Sequence, residues 1–358
     1  MSNEFETLPG AVGSPPQHYG NPLGEQKALA AGTAVVDLSH RAVISLTGPD
    51  RLSWLDSLTS QSVARLAAGE SSETLQLDPN GHVEFAVRLL DDGDAAWLLV
   101  DAEEAEPLLT WLTRMRFMKQ VEIADRSAEF ATIGSLGTPA LAPAVSHGVP
   151  LVWRDPWAAV VAGGHQYALT AAHPAADWTY SEMLIERSRL AEAAALPVAG
   201  LLALEALRIA AWRPRFATEV DEKTIPHELD WLRSAVHLSK GCYRGQETVA
   251  KVHNLGHPPR RLVLLHLDGS DGVLPVAGDI VATPEKDVGH VTSAALHYEL
   301  GPIALAVVKR SVDPAAPLAV STDGIRISAA QETIVPTDAG AEADIPRLPR
   351  LGAVPRTR

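Results

Sequence analysis

The single cysteine of this 358-residue chain lies in KGCYRGQET, residues 240–248, beside a lysine, an arginine, a tyrosine and two glycines. A nearby cation favours a thiolate, and glycine lets backbone approach a ligand closely. Lys240 and Cys242 therefore form a candidate functional pair. The plainer reading is a buried filler, because free cysteine is among the most buried residue types. Thirteen histidines are present, and no spacing marks one of them as a base for the thiol. Charge adds a second signal. Between residues 240 and 261 five cations (Lys240, Arg244, Lys251, Arg260, Arg261) stand against one anion, Glu247, in a chain of net charge −14. This reversal suits a phosphate, an RNA backbone or a carboxylated ligand, or else a salt-bridged surface between domains. A third candidate is Glu205 with Arg208. Their spacing of three residues puts them on one helix face, where they can pair.

Several function classes lack support. One cysteine excludes an internal disulfide and a thiolate metal cluster built by one chain. There is no GxGxxG, no GxxxxGK[ST], no HExxH and no CxxC, so no metal site is expected. The overall negative charge opposes nucleic-acid binding by the whole surface, while a local basic site stays open. MSNEFETLPG has no basic and apolar regions of a signal peptide. The most apolar helical stretch, LLALEALRIAAW, is short and carries Glu205 and Arg208. A cytoplasmic protein is expected.

These residues need a scaffold of more than one core. AVVDLS and AVISLTG read as strands, and PDRLSWLDSLTSQSVARL as a helix opened by Pro49 and Asp50. HVEFAVRLL alternates, DDGD turns, and AAWLLV returns, which predicts a hairpin. DAEEAEPLLTWLTRMRF starts a helix with Asp101 and Glu104 at capping-box spacing, although Pro107 weakens its continuity. GLLALEALRIAAW predicts a further helix that stops before Pro214. After HPPRR the chain breaks into short strands, the pattern of a small barrel or sandwich. The expected divisions are a loose extension over 1–30, an α/β region over 31–256, a barrel over 257–330 and a disordered tail over 331–358.

KGCYRGQE matches the K-G-C-[FY]-x-G-Q-E signature of the YgfZ family. VVDLSHRAVISLTGPDRLSWLDSLTSQSVARLAAGE, VDEKTIPHE and VGHVTSAALHYELGPIALAVVKR resemble segments of the broader glycine-cleavage T-protein (aminomethyltransferase) superfamily. The resemblance implies an α+β, three-domain fold, with two interleaved α/β domains around a central channel and a C-terminal β-barrel. It implies a tetrahydrofolate-type cofactor and a supporting role for iron–sulfur proteins, tRNA-modifying enzymes among them. Lys240 and Cys242 are the residues the signature marks. Tyr243, Arg244, Gln246, Glu247, Glu205 and Arg208 are the expected folate-contacting set. Two positions depart from the T-protein pattern. Phe85 and Ala86 stand where that pattern has acids, and Ala210 stands where it has a pterin-side glutamate. The reading that follows is a non-catalytic, folate-binding support factor. The alternatives are a T-protein-like one-carbon transferase, and an RNA- or protein-binding module without folate.

Overall fold

The computed structural model describes residues 3–343. Two five-stranded sheets, a closed barrel and a two-stranded ribbon (Val145–Ser146 with Val149–Pro150) make up its β-structure. One sheet runs in the order Val152–Arg154, Tyr180–Glu186, Phe130–Leu136, Val35–Asp37, Val198–Ala199. The other runs Ser71–Leu77, Val83–Asp91, Ala95–Val100, Ala42–Thr47, Glu122–Asp125, with every neighbour antiparallel. All five strands of this second sheet lie in sequence between Val35–Asp37 and Phe130–Leu136 of the first. The two α/β units are therefore interleaved. Six antiparallel strands between Arg260 and Thr333 close the barrel, because the last strand pairs with the first. The α+β architecture with a C-terminal barrel is as expected. One continuous apolar core joins both sheets, the Leu201–Ala210 helix and one side of the barrel.

The elements follow local chemistry. The 83–100 hairpin alternates as predicted, its odd residues Val87 and Leu89 packing into a second core. The Ala102–Arg116 helix opens with the capping box of Asp101 and Glu104. It runs on through Pro107, because the one bond that proline cannot donate falls on Glu103, an exposed residue of the first turn. The helix expected over 49–66 is shorter and spans Arg51–Leu58. Asp56 turns its carboxylate to the N–H groups of Val63 (2.8 Å) and Ala64 (3.1 Å), which ends the helix in a tight loop.

From Asn3 onward the N-terminal segment is built into the fold rather than loose. Phe5 is fully buried, and Pro22–Ala30 is a helix. Glu25 holds this segment to the body by accepting the Gly200 N–H at 2.9 Å. Residues 331–343 are likewise built in: Ile334 and Val335 are fully buried. The rest of the expected tail, 344–358, lies outside the described residues. Among the described residues no helix is long and apolar enough to cross a membrane.

Candidate functional site

A cavity forms where the two sheets meet the Leu201–Ala210 helix. The second sheet supplies Glu73, Ala86 and Arg88, and the first supplies Trp153, Tyr180 and Glu182. Asp101 and Glu104 enter from the start of the Ala102–Arg116 helix. Leu204, Glu205 and Arg208 enter from the 201–210 helix, and Arg213, Arg215 and Phe216 from the segment after it. The free space is about 600 Å³ with the open mouth included, and about 70 Å³ of it can hold the centre of a water molecule. The lining combines carboxylates and guanidiniums with Ala86, Leu204, Trp178 and Phe216 as apolar walls.

Elementary electrostatics explains why these charges can be buried: they neutralise one another. Arg88 bonds Glu182 and Asp101, each at 2.9 Å. Arg41 contacts the same two acids, and reaches Asp101 at 3.2 Å. Tyr180 donates its hydroxyl to Glu182 at 2.9 Å. Burial pushes the Asp101 pKa up, but Arg41 and Arg88 outweigh it and hold the group at about 2. Glu182 is held below its usual range by the same balance. Its second oxygen, Oε2, has no hydrogen-bond partner. On the other wall Arg208 bonds Glu205 (3.0 Å), Glu219 (2.9 Å) and the barrel residue Ser293 (2.7 Å). Arg213 joins Glu73 at 2.5 Å to Asp155 at 2.9 Å and lies over the Trp157 ring.

Glu104 differs from the other acids. Its Oε2 accepts the Asp101 N–H at 3.1 Å, and its Oε1 has no partner. Burial, followed by the neighbouring Asp101 carboxylate, raises its pKa to about 7.

The structure separates the residues that the sequence singled out. Glu205 and Arg208 pair across one helix face, as their spacing predicts, and both line the cavity. None of residues 240–247 lines it. The Lys240 side chain is buried and donates to three backbone carbonyls, those of Asp56 (2.6 Å), Thr59 (2.8 Å) and Gln61 (2.6 Å), with the Asp56 carboxylate 3.4 Å away. An ammonium has three donors, so none remains for the Cys242 thiol. Cys242 itself is exposed, not the buried filler of the plainer reading. Tyr243 packs into the main core beneath the Lys240 ammonium. Arg244 pairs with Glu84 at 3.1 Å, Gln246 donates to the Lys240 carbonyl, and Glu247 is exposed. The basic stretch is largely spent inside the protein. Arg260 is bound to Asp221 and Glu228, and Arg261 is buried, donating to Val312 and Gln331. This removes most of the charge that an RNA backbone would need.

The two departures from the T-protein pattern also acquire positions. Ala86 opens onto the cavity, while Phe85 turns to the second core. Glu84 sits at a bulge, where Gln76 pairs with Phe85 and Leu77 with Val83. It is held there by Gln76 (2.8 Å) and Arg244, away from the cavity. Ala210 packs against the core and does not line the cavity.

Sequence reasoning missed Arg41, Glu73, Arg88, Asp101, Glu104, Asp155, Tyr180, Glu182, Arg213 and Arg215 as site residues. One signal was available. Glu182 is the acid inside the buried part of YSEMLIE, Tyr180 to Ile185, while Glu186 ends the strand exposed.

Comparison with known proteins bears on this geometry. Residues 15–142 match the GCVT N-terminal domain family. In sequence the chain is similar to aminomethyltransferases. It is 29% identical over 308 residues to the aminomethyltransferase of Herpetosiphon aurantiacus, covering 82% of this chain and 83% of that protein. It is 28% identical over 336 residues to the aminomethyltransferase of Symbiobacterium thermophilum, covering 86% and 85%. In fold it resembles the glycine cleavage system aminomethyltransferase T from Bartonella henselae, with a TM-score of 0.69 at 18% identity over 90% of this chain and 91% of that one. These findings overturn the expectation of a non-catalytic support factor for iron–sulfur proteins, because the curated relatives are named for group transfer. The support role came from the KGCYRGQE signature, and its non-catalytic part leaned on Phe85 and Ala86. The cavity shows why this was too narrow a basis: carboxyl groups reach the same space from Asp101, Glu104 and Glu182.

Proposed function

We propose that the protein is a tetrahydrofolate-dependent one-carbon transferase of T-protein type, which moves an aminomethyl-derived carbon to a folate nitrogen. The observation that carries this reading is the cavity itself: apolar walls around buried carboxyl groups, two of which keep an unpartnered oxygen. A flat, amino-substituted heterocycle needs such a site. Its faces pack on apolar side chains, and its N–H groups require acceptors that water no longer supplies. In this reading Glu182 Oε2 and the Glu205 carboxylate accept from the ring. Arg215, half-exposed, suits the carboxylate end of the ligand. Bound tetrahydrofolate would supply the nitrogen that takes up the carbon. Tyr243, Arg244, Gln246 and Glu247 do not line the cavity, and this reading gives them no contact with the ring. By its eight-residue signature alone, we place the chain nearest the YgfZ subgroup of the superfamily.

The test is a tetrahydrofolate titration by calorimetry, followed by turnover with glycine-cleavage H-protein carrying its aminomethyl group. Saturable binding, with methylene-tetrahydrofolate and ammonia formed above the uncatalysed rate, is expected. Folded protein that binds no tetrahydrofolate, or forms no product with this donor, would overturn the reading.

A further inference from the structure

We propose that Glu104 is the proton-transfer group of the cavity, entering from a helix start to serve the space that Ala86 leaves without an acid. The inference rests on the transferase reading and names a residue that reading does not require.

Three observations carry it. Glu104 lines the cavity and is only 5% exposed. One carboxyl oxygen is fixed by the Asp101 N–H, which orients the group, while the other has no partner. The Ala86 N–H faces the same carboxyl, so the acid stands beside the position where the strand offers only a methyl group. Glu104 is also the cavity acid without a guanidinium contact. Asp101 and Glu182 are tied to Arg41 and Arg88, Glu205 to Arg208, and Glu73 and Asp155 to Arg213. An acid locked to arginine stays ionised and cannot give up a proton near neutral pH. Of the groups facing Glu104, burial and the Asp101 carboxylate raise its pKa, while Arg88 and the backbone N–H groups of Asp101 and Ala86 oppose them. Arg88 is shared with Asp101 and Glu182, which limits its effect.

The step balances. Glu104 takes the proton released by the attacking nitrogen as that nitrogen bonds to the aminomethyl carbon. It returns a proton to the departing amine as the carbon–amine bond breaks and the amine keeps the electron pair. The carrier sulfur leaves as a thiolate, expelled by the amine lone pair before the nitrogen attacks. After ammonia departs, the second folate nitrogen closes on the same carbon, and the proton it sheds goes to that thiolate. Methylene-tetrahydrofolate, ammonia and the carrier thiol leave, and the carboxyl ends as it began.

Glu104→Gln is the test, with Glu103→Gln on the exposed face of the same turn as control. Glutamine serves a capping box as glutamate does, so the fold is kept. The first readout needs no ligand. In carbon-labelled protein followed by NMR, one glutamate carboxyl should titrate near pH 7, vanish in Glu104→Gln and remain in Glu103→Gln. Stability gives a second. A carboxyl whose folded pKa lies above its unfolded value resists ionisation in the fold, so the wild type loses stability as pH rises through that interval. The thermal midpoint of Glu104→Gln relative to wild type should therefore rise between pH 5 and pH 8. The third is turnover: kcat should fall roughly 10²- to 10⁴-fold, the limb near pH 7 should disappear, and KM should change little. Wild-type turnover with an unchanged kcat and pH profile in Glu104→Gln would overturn this inference and leave the transferase reading standing. Absence of the titrating carboxyl would overturn it too. A wild type that performs no transfer would sink both.

Discussion

The cavity and the 240–248 segment place charged groups in opposite ways. The segment gathers a lysine, a cysteine and an arginine within five residues, and reads in sequence as a site. In the fold its ammonium is consumed by three carbonyls at the end of another helix, and its arginine pairs with Glu84. The cavity draws its acids and guanidiniums from positions scattered between Arg41 and Arg215, and only Asp101 with Glu104 and Glu205 with Arg208 form local patterns. The difference teaches that dense local chemistry can be a clasp between distant segments. Dispersed charge becomes a site only when topology brings opposite signs into a space that water leaves.

Breaking the cavity should have the largest effect. Glu182 is fully buried and accepts from Arg41, Arg88 and Tyr180. Glu182→Gln keeps the shape but leaves two guanidiniums to share Asp101. Removing one partner from a buried pair typically costs about 3–5 kcal/mol. Urea unfolding should show a loss of this size with an unchanged denaturant slope. A loss below about 1 kcal/mol would mean that the network is not what holds the sheets together. By contrast His266–Glu332, an exposed pair on the barrel, should contribute within about 0–1 kcal/mol.

How much of this was legible follows from the same contrast. Alternation revealed the 83–100 hairpin, and short apolar runs revealed the barrel strands. The spacing of three residues revealed the Glu205–Arg208 pair, because that contact is local. The capping box at Asp101 and Glu104 was also visible, but as a helix start. That the same carboxyl faces a cavity depends on how strand 83–91 lies against the helix. The bond between Arg88 and Glu182 spans two sheets whose strands interleave in sequence. No periodicity encodes such a pairing. The acceptors of Lys240 lie about 180 positions upstream, so the lysine looked free when it was not.

The clasp can be loosened next. Lys240→Met keeps the apolar stem over Tyr243 and removes all three donors. The carbonyls of Asp56, Thr59 and Gln61 then lose a charged partner. A hydrogen bond to a charged group contributes about 1.5–3 kcal/mol, and non-additivity keeps the total near one such bond rather than three. A stability loss of about 2 kcal/mol is expected, with tetrahydrofolate affinity of the folded fraction nearly unchanged. If affinity collapses while stability holds, the lysine acts on the ligand and the contrast between the two regions fails.

Cys242 should give the smallest effect, and it sharpens the contrast most. The thiol is exposed, and the ammonium two residues before it is committed elsewhere. Cys242→Ser changes one atom at the surface and removes no packed group. Exposed substitutions of this kind usually stay within about 0.5 kcal/mol. Thermal unfolding, tetrahydrofolate titration and transfer turnover should all match the wild type. The signature resemblance marks this cysteine together with Lys240, so the two variants must be compared side by side. If the segment is a clasp, Lys240→Met costs stability and Cys242→Ser costs nothing. If it is a reactive site, Cys242→Ser lowers turnover at unchanged stability. That result would move chemistry from the cavity to the surface loop, because a thiol with no packing role can affect turnover only through its reactivity.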